Sequence, residues 1–64
     1  MKAQTVTIEI ATEIQTAVGE RTSQGYDDMS PLIGYYTEYG YNQRDVENVV
    51  EDALAELAKV YGNN

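Results

Sequence analysis

The sequence predicts a small, mainly α-helical domain of three helices, over about residues 3–18, 31–39 and 43–61. Three observations predict it. Apolar residues recur at steps of three and four along most of the chain, glycine and proline punctuate that pattern, and 64 residues leave room for one domain only, spanning 1–64.

The N-terminal segment admits two readings. As a helix, Ala3, Val6, Ile10, Ile14, Ala17 and Val18 share one face, Ile8 alone falls on the wrong side, and Gly19 ends the element. As a strand over residues 5–10, Val6, Ile8 and Ile10 alternate with Thr5, Thr7 and Glu9, and Thr12 with Gln15 would cap a short helix after it. A lone strand needs a second chain or a partner's sheet edge, so the helix is the preferred reading. Gly19 to Met29 is polar and glycine-containing and reads as a surface loop.

The second helix opens with Ser30 as N-cap and Pro31 at the first helical position, where a missing N–H costs nothing. Leu32, Tyr35, Tyr36 and Tyr39 follow at helical spacing, with Tyr39 the expected core residue, and Gly40 closes the turn. The third helix carries the longest stripe: Val46, Val49, Val50, Ala53, Leu54, Leu57, Val60 and Tyr61. Asn42 suits its N-cap, Asp45 and Lys59 complement its two ends, and Gly62 supplies its stop.

Composition narrows the chemistry. With no histidine and no cysteine, the commonest general acid–base group, thiol catalysis and soft metal sites are all missing. The two serines lack a histidine to activate them, and Asp27 and Asp28 read as solvated turn residues. The calcium-loop pattern D-x-[DN]-x-[DN]-G is absent, as is a glycine-rich phosphate loop. No enzyme activity, no catalytic residue, no metal and no cofactor is expected. No secretory leader or membrane-length apolar run is present, so a cytoplasmic protein is expected.

What remains is a binding surface. Eleven acidic residues against four basic ones give a formal net charge of −7. Asp45, Glu47, Glu51, Asp52 and Glu56 lie off the apolar stripe of the last helix. Such a face keeps a small protein soluble, or it meets a basic partner. Six tyrosines in a chain without Phe or Trp must supply part of the core. Four of them crowd residues 35–41, more than one short helix face can bury, and tyrosine is a favoured contact residue. The candidate partner-binding residues are therefore Tyr35, Tyr36, Tyr41, Glu47, Glu51, Asp52 and Glu56. The core is light for an independent fold, so a homodimer or a partner that completes it is a fair expectation.

In size and charge the chain resembles the small acidic inhibitors that phages direct at host nucleases and other defence machinery. That resemblance is one of character and assigns no residue. It implies a stoichiometric inhibitor, DNA-mimic-like, docking on a basic nucleic-acid-binding surface, where affinity depends on Lys and Arg. The alternative is a dimeric DNA-binding regulator, since TVTIEIATEI (5–14) and NQRDVENVVEDALAEL (42–57) resemble the strand and second helix of the ribbon-helix-helix family. That resemblance implies base reading by Thr5, Thr7 and Glu9. About thirty residues between the blocks and the scarcity of basic side chains (Lys2 and Arg44 alone well placed) depart from the family pattern.

Overall fold

A computed structural model describes residues 2–61; Gly62 lies outside the described residues, as does the side chain of Tyr61. Three helices, α1 (Ile8–Ser23), α2 (Ser30–Glu38) and α3 (Gln43–Tyr61), make up a mainly α domain with no sheet among the described residues.

The N-terminus combines the two sequence readings. Residues 2–7 are non-helical, and Gln4 forms one parallel bridge to Tyr41, donating to Gly40 O (2.7 Å) and accepting from Asn42 N (2.8 Å). The helix therefore starts at Ile8, not near residue 3, because those backbone groups already have partners. Thr7 is the N-cap: its backbone is extended and its Oγ1 accepts from Ile10 N at 3.2 Å. No strand runs over 5–10, and Thr12 caps nothing; its hydroxyl donates to Ile8 O within the helix. Ile8, the misfit of the apolar face, is 86% exposed.

At the other end α1 passes through Gly19 and continues to Ser23. Glycine in a helix interior costs about 1 kcal/mol but does not end a helix unless the backbone turns left-handed. That turn falls to Gly25, at φ 89°. Arg21 then organises the connection. Its Nη2 donates to Asp28 O (2.9 Å), its backbone carbonyl accepts from Tyr26 N (2.9 Å), and its guanidinium lies 5.1 Å from the Tyr26 ring centroid.

The start of α2 is shifted by one residue from expectation. Ser30 is the first helical residue and Met29 the N-cap, with no side-chain cap bond of its own. Asp28 supplies the missing acceptor, its Oδ1 taking Ser30 N at 2.9 Å. That bond, first of all, holds the Asp28 carboxyl below the usual aspartate value. Gly40, at φ 107°, makes the tight link to α3, and Asn42 caps α3 through Asp45 N (3.0 Å).

Arg21 reaches Asp28 just before α2, and Glu13 meets Tyr36 further along it, so α2 runs back along α1. α1 and α3 run in the same direction: Val6 and Ala11 neighbour Asp45 and Val49 at one end, and Gly19 and Thr22 neighbour Leu57 at the other. The core comprises Ile14, Val18, Met29, Tyr36, Val46, Val50 and Ala53. Its α1 and α3 members lie on the predicted stripes. Leu54 and Val60, also on the α3 stripe, are exposed toward the distal end.

Candidate interaction surface

The structure puts Tyr35 and Tyr39 outside and Tyr36 inside. At about 100° per residue, Tyr35 and Tyr39 share one flank of α2 while Tyr36 points to the core. The structure thus exchanges two roles. Tyr39, expected in the core, is 66% exposed; Tyr36, expected at a contact, is 8% exposed. The reason is geometric: the inward line of α2 passes through Leu32 and Tyr36, and by Tyr39 the helix has ended and the chain is turning toward Gly40. Tyr35 is also exposed, and Tyr41 is half-buried against the core.

These rings form a connected cluster. Tyr39 and Tyr35 meet edge-to-face at a centroid separation of 4.9 Å, Tyr35 and Tyr36 at 5.1 Å, and Tyr36 and Tyr41 at 6.3 Å. Tyr36 Oη donates to Glu13 Oε1 at 3.1 Å. Burial, and then that carboxylate, push the Tyr36 phenol above its usual value. Tyr35 is raised too, chiefly through its hydrogen bond with Tyr39, with Glu13 contributing. A buried tyrosine therefore holds two exposed ones beside a carboxylate of α1.

Glu13 belongs to this tyrosine cluster and was not among the candidates read from the sequence. Glu9 and Glu20 lie within about 40° of it around α1, so three exposed carboxylates share the flank that faces α2. The i,i+4 spacing of Glu9 and Glu13 was a readable signal, hidden by the unsettled choice between strand and helix.

The α3 carboxylates do not form the single face expected of them. Glu56 lies nine positions after Glu47, which puts them about 180° apart on the helix. Glu47 is half-buried beside α2 residues Ile33, Gly34 and Thr37, whereas Glu56 borders α1 at Gln15. Exposed Glu51 lies within about 40° of Glu47, and exposed Asp52 within about 40° of Glu56. The candidate residues thus fall into two groups, Glu47 with Glu51 on the α2 side and Asp52 with Glu56 on the other. Lys59 pairs with Glu56 at 3.7 Å, both side chains exposed.

The positions matched to the ribbon-helix-helix strand are differently used. Thr5 is exposed in the extended segment, Thr7 caps α1, and Glu9 lies in its first turn. Among the described residues no group of three or more carboxylates could hold a metal ion, and no helix is long and apolar enough to cross a membrane. No protein-family model, curated protein or solved structure matches this chain.

Proposed function

We propose that this chain is a stoichiometric protein-binding module, of inhibitor type, that docks on a basic surface of a partner protein. The observation that carries the reading is the exposed Tyr35–Tyr39 pair, joined through Tyr36 to Glu13, on a chain of net charge −7. Tyrosine supplies large contact area at low conformational cost, and its ring face attracts cations. Glu9, Glu13 and Glu20 add a negative flank, and the α3 carboxylates add to the long-range field that speeds encounter with a basic surface. Basic surfaces of this kind are typical of nucleic-acid-handling proteins, so an acidic module acting in the cytoplasm can block one by occupying the place of phosphates. Phage-encoded, DNA-mimic-like inhibitors would work in this way.

The test is an affinity capture from bacterial lysate at low and high salt, with and without nuclease, using the native chain and a Tyr35→Ala/Tyr39→Ala variant. The proposal expects a nucleic-acid-binding protein that survives nuclease, is released by salt, and is lost from the variant. Equal recovery on both chains would remove the tyrosine pair from the interface. Recovery of DNA that vanishes with nuclease would favour the regulator instead.

A further inference from the structure

The flank of α2 away from Tyr35 and Tyr39 borders a solvent-facing cleft of about 400 Å³ against α3. Ser30, Ile33, Gly34, Thr37 and Glu38 line it from α2, and Gln43 and Glu47 from α3. That volume lies within the range of side-chain and small-ligand sites, about 300–1,000 Å³. Ile33 is the one apolar side chain in that lining; Ser30, Thr37 and Gln43 are polar, and Glu38 and Glu47 are acidic. Among the described residues neither Glu38 nor Glu47 has an ion-pair partner, and Glu47 Oε2 only accepts from Gln43 Nε2 at 3.0 Å.

Gly34 lies in this cleft. Like Gly19 in α1, it has no positive φ, and a Cβ built there meets nothing within 4 Å. Neither backbone geometry nor packing calls for glycine, although glycine weakens a helix interior. Its effect on the surface is to leave the cleft floor bare.

We infer that this cleft receives an arginine side chain of the basic partner, its stem over Ile33 and Gly34 and its guanidinium shared by Glu38 and Glu47. The inference rests on the basic-partner reading but on a different flank of α2 from the tyrosine pair. Arginine fits better than lysine, because a planar fork of five donors can serve two carboxylates at once while its stem covers apolar surface.

The experiment is an NMR titration of the labelled full chain with a hexa-arginine peptide and, separately, a hexa-lysine peptide. Gly34→Leu fills the cleft, Gly34→Ala controls for helix stability, and Tyr35→Ala/Tyr39→Ala controls for the other flank. Expected are saturable shifts centred on residues 33–38 and 43–47, stronger for arginine, and weakened about tenfold in Gly34→Leu, the size of one lost charge-assisted contact. Gly34→Ala should melt about 4 °C higher than the native chain, showing that glycine serves no structural need. Equal shifts for both peptides, untouched by Gly34→Leu, would reduce the binding to charge alone and overturn the inference. Shifts centred on Tyr35 and Tyr39, and lost only in the tyrosine variant, would overturn the cleft while leaving the proposed interface standing.

Discussion

Tyr36→Phe removes one oxygen and leaves everything else that Tyr36 does. The ring keeps its place in the core and its edge contacts with Tyr35 and Tyr41. What goes is the 3.1 Å bond to Glu13. A hydrogen bond to a charged group contributes about 1.5–3 kcal/mol when both groups leave water. Glu13 is exposed and recovers water once the phenol is gone, so the loss falls at about 1 kcal/mol. In a domain this size that lowers the melting temperature by about 4–8 °C. Tyr36→Ala would instead cost about 3–5 kcal/mol, comparable with the total of about 3–10 kcal/mol available to such a chain, so phenylalanine is the informative change. The sign with pH follows from the raised phenol. Its contribution is complete below the unfolded tyrosine value, about 10, and is lost as pH rises through the higher folded value. Melting curves of the two chains should therefore differ at pH 7 and converge at strongly alkaline pH. A variant melting within 1 °C of the native chain at pH 7, or a gap unchanged well above pH 10, would refute the bond's role.

Ile14→Ala should destabilise by about 2–5 kcal/mol, since Ile14 is fully buried and a cavity remains where the methyls were; urea denaturation measures it, and a cost below about 1 kcal/mol would place Ile14 outside the core. Amide hydrogen exchange should show α2 opening before α1 and α3, because nine residues with an interior glycine fall short of the about 12–15 that sustain an isolated helix. Protection in α2 equal to that in α3 would contradict this.

The stripes of α1 and α3 were legible because their periodicity is long, although Ile8, Leu54 and Val60 are exposed. Ile14, Val18, Val46, Val50 and Ala53 are buried as the spacing requires. The start of α1 was not, because its cause lies far away in sequence: Gln4 is held by Gly40 and Asn42, and no local propensity encodes that pairing. Its end was misplaced because a glycine was read as a stop without knowing which glycine turns left-handed. The tyrosines show the same limit. Spacing puts Leu32, Tyr35, Tyr36 and Tyr39 on one broad side of a short helix, but only the packing of α2 on α3, with Glu13 of α1 taking the phenol, decides that the inward line passes through Tyr36. The acidic residues of α3 were grouped by exclusion from the apolar stripe, and a shared exclusion does not make a shared face. Their angular separation was computable from the numbering alone.

The distribution of stability bears on where a partner can bind. α1 and α3 supply most of the fully buried core, pack side by side, and are capped by Thr7 and Asn42. α2 is attached mainly through Tyr36, Leu32 and Ile33, is capped from outside by Asp28, and carries Gly34 at its centre. Gly34, Tyr35 and Glu38 lie on this least stabilised element and Tyr39 just past its end; the tyrosine flank borders Glu13 of α1 through Tyr36, and the cleft flank borders Gln43 and Glu47 of α3. A partner gripping α2 from its tyrosine flank and its cleft flank would therefore stabilise the most weakly anchored helix, and its affinity would be linked to the folding of α2. On the proposed reading, that linkage would make the interaction sensitive to the fit of both flanks.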